Sequence, residues 1–166
     1  TISHMWDDVW IMPSPGDSGN ALGAELAKRN EWVEWKTPFL GYNIDRPYPV
    51  KEIIAELKKT KICGVANGRA EFGPRALGNR SIICNPGMLN ARSELNEKIK
   101  LRETFRPFAG SVLESYKNEW FECPTNEISP FMSKVYKVKE EKKKIIPSIV
   151  HNDGTCRIQT VSIDDN

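Results

Sequence analysis

One stretch of the sequence constrains the fold more than any other, because it places a run of glycines and arginines between two apolar segments. Ile62–Ala66 and Ser81–Cys84 are short, apolar and suited to β-strands, and the second ends at the turn-forming residues 85–87. Between them lie three glycines, five residues apart, and three arginines: Gly68, Gly73, Gly78, Arg69, Arg75 and Arg80. The two strands are therefore expected to hold a positively charged loop.

The composition of this loop is typical of an anion-binding site. Glycine permits positive φ angles and close backbone approach, and backbone N–H groups in such turns form concave nests for anions. Arginine adds planar, bidentate hydrogen bonds that match phosphate and carboxylate groups. The spacing is neither that of a Walker A loop nor that of a dinucleotide-binding Rossmann loop. The structural alternative is that the arginines are surface charges paired with Glu71, Glu94 or Glu97.

A second basic cluster follows a helix that the sequence predicts over residues 88–101, with Ala91, Leu95 and Ile99 on one face. Its members are Lys98, Lys100, Arg102 and Arg106. A helix that ended near Arg102 would bring them together. Cations in the last turn also complement the helix dipole, which is an alternative explanation of the cluster.

A third group of polar residues surrounds the last predicted strand, over residues 158–163. His151 precedes the turn at Asp153-Gly154, and Arg157 and Gln159 are two residues apart. Because alternate residues of a strand share a face, both polar side chains are expected to point in one direction, where a core strand would carry apolar residues.

Composition limits the class of protein. The 166 residues are 39% hydrophobic and 28% charged, which fits one soluble domain with a remnant of another. Neither a transmembrane helix nor a signal peptide is expected. The four dispersed cysteines lack the spacing of zinc ligands. Free thiols are favoured over disulfides, which implies a reducing compartment and hence a cytoplasmic location. The net charge is only +2, but residues 61–110 hold nine basic and four acidic residues.

The remaining segments interleave helices and strands, which predicts an α/β (α+β) fold. Residues 20–29 and 50–60 are expected to be helical, and residues 109–113 to form a strand. Residues 32–49 contain three prolines and five aromatic residues without steady periodicity. This segment is therefore the candidate domain boundary.

Three long motifs resemble the carboxyl-terminal region of O-carbamoyltransferases of the NodU/CmcH type: residues 68–82, 96–109 and 151–161. Residues 13–24 also resemble the end of the actin-like amino-terminal domain of that family. The resemblance implies that residues 1–38 are the tail of the actin-like domain with a connector. It assigns residues 39–166 to a YrdC-like domain with a twisted, mostly mixed or antiparallel sheet and flanking helices.

In this family, the resemblance implies, the YrdC-like domain makes carbamoyl-adenylate from carbamoyl phosphate and ATP, with Mg²⁺ carried by the nucleotide. The actin-like domain then transfers the carbamoyl group to a hydroxyl acceptor and holds iron or another divalent metal. The expected partners of this chain are therefore carbamoyl phosphate, ATP and an actin-like domain. A fragment of this extent is expected to perform only the adenylation half-reaction.

The resemblance also implies roles for individual residues. Lys100 and Arg102 match the K-x-R element of YrdC-like domains and, with Arg75, are the expected catalytic residues. The residues expected to bind ATP and carbamoyl phosphate are Arg69, Arg75, Asn79, Arg80, Ser81, Lys100, Arg102, Arg106, His151 and Arg157. Asp17 matches a metal-site aspartate that would function only in a full-length protein. Residues 84–87 depart from the Ala-Asp-Pro-Arg usual in the family.

Two other readings remain open. The first is a non-catalytic module that binds RNA or a nucleotide through the same basic surface. Single-stranded RNA sites usually present aromatic platforms, and residues 67–106 contain only Phe72 and Phe105, so nucleic acid is not an expected partner. The second is an interaction domain that docks the actin-like domain and whose arginines are structural. No membrane partner is expected.

Overall fold

The computed structural model describes residues 5–7, 9 and 11–163. The strands are β1 (Asn43–Ile44), β2 (Ile62–Ala66), β3 (Gly68–Arg69), β4 (Arg80–Cys84), β5 (Gly110–Leu113), β6 (Phe121–Glu122), β7 (Lys134–Val138) and β8 (Thr155–Val161). The α-helices are α1 (Asp17–Arg29), α2 (Val50–Thr60), α3 (Ala91–Glu94), α4 (Lys117–Trp120) and α5 (Glu140–Lys143). A π-helix, Leu95–Lys100, continues α3, and 3₁₀ turns occur at Glu114–Tyr116 and Pro147–Ile149.

The strands form one larger sheet and two small ones. The larger sheet has the order β5-β8-β7-β6, in which β5 runs parallel to β8 and the other pairs are antiparallel. The small sheets are the antiparallel pairs β1-β3 and β2-β4. The α+β class and the mixed, mostly antiparallel pairing are confirmed. The strands nevertheless do not join into one sheet, because β2 and β4 pair only with each other and β1 only with β3.

The hydrophobic core lies on the larger sheet. Tyr136 and Val138 alternate along β7, and Cys156 and Ile158 occupy the same face of β8 with no exposed surface. Other members of the core are Phe121, Ile146 and Ile149. Each fully buried side chain of this size stabilises the fold by roughly 1.5–3 kcal/mol, so β8 is firmly anchored by its inner face. Its outer face is thereby held in a fixed position.

Two predicted helices are confirmed. α2 occupies residues 50–60 as its apolar spacing predicts, and it packs beside β2. α1 begins at Asp17, three residues before the predicted start, and ends at Asn30, which has a left-handed conformation. None of the described helices is both long and apolar enough to cross a membrane.

The helix predicted over residues 88–101 is shorter and changes its geometry. Of the three residues expected on one face of this helix, Ala91 and Leu95 are buried, whereas Ile99 is 46% exposed. The cause is the π-helix, whose i→i+5 hydrogen bonds widen the turn and shift the residues that follow. The helix ends at Lys100, and Leu101 then adopts a left-handed conformation with φ of 47°. Arg102 therefore lies outside the helix.

Candidate functional site

The glycine- and arginine-rich loop between β3 and β4 is organised by a carboxylate. One oxygen of Glu71 accepts backbone N–H bonds from Leu77, Asn79 and Arg80 at 2.7, 2.9 and 3.2 Å. Hydrogen bonds to an ionised acceptor are stronger than neutral ones, so this oxygen holds the far end of the loop in one conformation. Glu71 thus pairs with backbone groups and forms no ion pair with an arginine in the described part of the chain.

Arg80 is surrounded by backbone carbonyls. Its guanidinium donates to the carbonyls of Asn67 and Asn79 at 2.7 Å, to that of Tyr42 at 2.9 Å, and to that of Gly68 at 3.3 Å. These bonds tie the strand pair β1-β3 to the start of β4. Arg80 therefore shapes the loop, and its expected contact with substrate stays a prediction.

Three neighbours of Arg80 in the predicted site also contribute to loop structure. Arg69 donates to the carbonyls of Phe39 and Leu40 at 3.2 Å. Asn79 donates its amide to the carbonyl of Arg69, and the Ser81 hydroxyl accepts the N–H of Gly78. The remaining arginine of the loop, Arg75, is exposed and makes no ion pair with a described carboxylate.

Gln159 on β8 fastens the loop to the larger sheet. Its amide donates to the carbonyl of Leu77 at 2.9 Å, and its oxygen accepts the hydroxyl of Ser111 on β5 at 3.0 Å. Arg157 lies two residues earlier on the same face of β8. The predicted polar face of this strand is thus confirmed, and it faces the loop that contains Arg75.

Arg75, Arg102 and Arg157 form what we call the arginine cluster. Burial lowers the pKa of Arg157, and the positive charges of Arg75 and Arg102 lower that pKa further. None of the three forms an ion pair with a carboxylate in the described residues. The buried Nε of Arg157 has no hydrogen-bond partner there either. Three segments far apart in sequence therefore bring positive charge together without a neutralising group.

Arg102 is held in one orientation by neutral groups. Its Nε donates to Oδ1 of Asn96 at 2.7 Å, and its guanidinium carbon lies 5.0 Å from the ring centroid of Phe108. Hydrogen bonding and cation–π stacking fix the guanidinium without cancelling its charge. Neither terminal nitrogen has a described partner, so this bidentate edge is available to an anion.

His151 and Arg92 extend the cluster. They line a concavity of about 330 Å³ together with Phe105, Pro107, Asn152 and Asp153. His151 shares a hydrogen bond of 3.0 Å with Thr155 through Nδ1, while its buried Nε2 has no described partner. Burial lowers the pKa of His151, and the charges of Arg157 and Arg92 lower it further, against an opposing effect of Asp153. The lining thus carries one cation, Arg92, and one anion, Asp153, and His151 links it electrostatically to Arg157 of the arginine cluster.

Lys100 points elsewhere. It lines a second open concavity of about 330 Å³ with Gly64, Val65, Ala66, Arg80, Ser81 and Ile82. The left-handed turn at Leu101 separates Lys100 from Arg102, so the K-x-R element is divided between two surfaces. The predicted residues therefore form two groups, of which only the arginine cluster gathers several unpaired cations.

Two other basic residues have acidic neighbours on the surface. Arg106 lies 3.7 Å from Glu103, and Lys98 lies 3.9 Å from Glu94. The second basic cluster is thus divided: Lys98 and Arg106 lie beside carboxylates, Lys100 lines the second concavity, and Arg102 belongs to the arginine cluster. Asp17 is exposed in the first turn of α1.

Metal-binding groups are sparse in this region. The described residues contain no group of three or more histidines, cysteines, aspartates or glutamates that could hold a metal ion. All four cysteines carry free thiols. Burial raises the pKa of Cys156 to about 11, so this thiol stays protonated at neutral pH.

Sequence reasoning missed Arg92, Asn96 and Glu71. Arg92 is adjacent to the buried Ala91, and nothing in its spacing connects it with His151, 59 residues later. Asn96 and Glu71 both lie inside motifs used for the resemblance. Asn96 follows Leu95 directly, so the helical pattern places this polar residue beside the apolar face, and that position was a signal that could have identified it.

Comparison with known proteins identifies a family for this chain. A family model described as "Carbamoyltransferase C-terminus" matches residues 54–166. Nodulation protein NolNO of Sinorhizobium fredii is 38% identical over 99% of this chain and 28% of its own length. Nodulation protein NolO of Bradyrhizobium diazoefficiens is 36% identical over 99% of this chain and 35% of its own. Nodulation protein U of Rhizobium tropici is 35% identical over 95% of this chain and 29% of its own.

The chain thus spans about a third or less of the length of these relatives. The family model, however, covers well over half of the chain, including all three motifs and the arginine cluster. The resemblance to the NodU type is confirmed: the chain belongs to the carbamoyltransferase family and corresponds to its carboxyl-terminal region.

Proposed function

We propose that this region binds ATP and carbamoyl phosphate at the arginine cluster and forms carbamoyl-adenylate. The observation that carries the proposal is the convergence of Arg75, Arg102 and Arg157 without a described carboxylate partner. Like charges repel, so such a cluster is best explained by an anionic ligand that neutralises it. The concavity lined by Arg92, His151 and Asp153 adds a recess whose histidine feels the charge of Arg157.

The chemistry requires charge neutralisation and alignment. Water cleaves carbamoyl phosphate to carbamate and inorganic phosphate. A carbamate oxygen then attacks the α-phosphorus of ATP, the bond to the bridging oxygen breaks, and pyrophosphate leaves. Carbamate is already an anionic nucleophile and needs no general base. Arginine side chains suit this step, because they hold both anions together and stabilise the charge that develops on the leaving group.

Magnesium would accompany the nucleotide. The described residues around the cluster are cationic, and Asp153 on the rim is hydrogen-bonded to Thr155. This donor set does not suit a resident divalent ion. The metal would therefore be coordinated by phosphate oxygens and water. The site predicted for iron or another metal, with Asp17, belongs to the proposed actin-like part of a longer protein.

The concavity lined by His151 is open and small for a nucleotide site, since pockets for small ligands usually measure roughly 300–1,000 Å³. We propose that an actin-like domain in a longer polypeptide covers it and transfers the carbamoyl group to a hydroxyl acceptor. A YrdC-like architecture and a cytoplasmic location belong to the same proposal. The boundary near residue 38 remains a prediction.

Isothermal titration calorimetry of the chain with ATP and Mg²⁺ tests the proposal. The arginine cluster and the Lys100 surface are distinguished by Arg75→Ala and Lys100→Ala. We expect Arg75→Ala to weaken binding about tenfold or more, because one charge-assisted hydrogen bond contributes about 1.5–3 kcal/mol. Arg29→Ala is the matched control, since this exposed arginine pairs with Glu25 on α1.

The half-reaction has its own assay. Labelled pyrophosphate should exchange into ATP when carbamoyl phosphate is present and should not exchange when it is omitted. Absence of nucleotide binding by the folded chain, or equal affinity in wild type and Arg75→Ala, would refute the assignment to the arginine cluster. A larger effect of Lys100→Ala than of Arg75→Ala would move the site to the other concavity.

A further inference from the structure

Asn96 is the most constrained polar residue near the arginine cluster. Its side chain has no exposed surface, although it lies in the π-helix one turn before the chain leaves the helix. Burying an amide without hydrogen-bond partners is unfavourable, so the partners of the Asn96 side chain indicate its role. All of them go to the segment that contains Arg102.

The two ends of the amide have different partners. The amino group donates to the backbone carbonyls of Thr104 and Arg106 at 3.2 and 3.0 Å, and Oδ1 accepts Nε of Arg102 at 2.7 Å. The backbone carbonyl of Asn96 also accepts the N–H of Arg102 at 2.9 Å. One residue therefore fixes the loop after the π-helix and the arginine that the loop presents.

We propose that Asn96 is a positioning residue that sets the guanidinium of Arg102 for anion binding. The Nε bond and the Phe108 ring leave only the two terminal nitrogens for a ligand. A free arginine side chain loses rotamer entropy when it binds a ligand, and fixing it beforehand removes this cost from binding. A carboxylate in the same place would orient Arg102 but would also neutralise it. The inference rests on the proposed anion binding at the cluster.

A double-mutant cycle tests the coupling. Affinity for ATP with Mg²⁺ is measured by calorimetry for wild type, Asn96→Ala, Arg102→Ala and the double variant. We expect Asn96→Ala to weaken binding about tenfold in the wild-type background and hardly at all in the Arg102→Ala background. An equal loss in both backgrounds would show that Asn96 acts through other parts of the loop and would overturn the inference.

Asn118 offers a matched control. It is a partly buried asparagine whose amide donates to the carbonyl of Cys123 at 2.6 Å, and it lies in α4, outside the cluster. Asn118→Ala removes a side-chain-to-carbonyl hydrogen bond of the kind that Asn96 makes. Because Asn118 lies outside the cluster, this variant should leave the affinity for ATP unchanged. A loss equal to that of Asn96→Ala would indicate general destabilisation and would count against a positioning role.

A measurement on the wild-type chain covers the case in which Asn96→Ala does not fold. The Nε–H proton of Arg102, identified by its absence in Arg102→Lys, should exchange slowly with solvent in NMR spectra. That of Arg46, which has no described Nε partner, should exchange fast. Equal rates would overturn the inference. If wild type binds no ATP, the proposed function fails, whereas the exchange rates still decide whether Asn96 holds Arg102.

Discussion

Replacing Glu71 by alanine tests how the glycine- and arginine-rich loop is built. One carboxylate oxygen accepts three backbone N–H groups, from residues on both sides of Gly78. Alanine leaves these donors without an acceptor at a half-buried position. Glutamine keeps one carbonyl oxygen of similar reach but removes the negative charge. The two substitutions therefore separate the loss of the acceptor from the loss of its charge.

The expected loss of stability follows from the three hydrogen bonds that Glu71 accepts. A hydrogen bond to a charged group contributes about 1.5–3 kcal/mol, but the three donors share one oxygen and solvent partly screens it. We therefore expect Glu71→Ala to lower the free energy of unfolding by about 3 kcal/mol in all, and Glu71→Gln by about half of that. For a domain of this size, 3 kcal/mol corresponds to a fall of roughly 6–12 °C in Tm.

Calorimetric melting and amide hydrogen exchange measure the effect. The amides of Leu77, Asn79 and Arg80 should lose protection in Glu71→Ala, while those of β7 should lose much less below the melting transition. Glu31→Ala, an exposed glutamate after α1, serves as control. A variant that melts like wild type and keeps its protection at these amides would refute the role assigned to Glu71.

Three further predictions concern the same region. Gly73→Ala should destabilise the chain by about 1–3 kcal/mol in urea melts, more than Gly78→Ala, because both have positive φ but only at Gly73 would the new Cβ approach the Ser14 side chain, at 3.2 Å. Folding lowers the pKa of His151, so the stability that the neutral imidazole contributes is present above the unfolded pKa, near 6.5, and is lost as pH falls through the folded pKa. In thermal melts at a series of pH values, His151→Gln should make Tm less dependent on pH over this range. Pyrophosphate is expected to raise the Tm of wild type; Arg75→Ala should raise the ligand-free Tm by about a degree, because it removes like-charge repulsion, but should gain less from added pyrophosphate than wild type does.

Local elements were predictable where one physical pattern dominates. The spacing of Val50, Ile53 and Leu57 specifies α2 because an α-helix repeats every 3.6 residues. Alternation along residues 157–159 specifies the polar face of β8, since side chains of a strand point to opposite faces in turn. The position of the glycine- and arginine-rich loop was predictable because its glycines and arginines lie between two clear strands.

Assignments within the loop were not predictable from composition. Arg69, Arg75 and Arg80 look equivalent in the sequence, but Arg69 and Arg80 point at backbone carbonyls, whereas Arg75 has no described partner of this kind. The partners of Arg69 lie in residues 39–40, and Arg80 bonds the carbonyl of Tyr42 as well as carbonyls of residues 67, 68 and 79, so the path of a segment far away along the chain contributes to both. The π-helix could not be predicted from the sequence either. The apolar spacing of this segment fits an ordinary α-helix, and only the exposure of Ile99 in the structure reveals the wider turn.

The way in which the cluster is supported explains how its charge survives folding. A carboxylate would hold an arginine firmly but would also cancel its charge, so a ligand would have to displace it. The amide of Asn96 and the ring of Phe108 orient Arg102 without adding negative charge. The one carboxylate that shapes the neighbouring loop, Glu71, is occupied by backbone N–H groups. Because the groups that orient Arg102 are neutral, its guanidinium keeps its full positive charge. The resulting repulsion around Arg157 is unfavourable in the free chain, and under the proposed function a bound anion would relieve it.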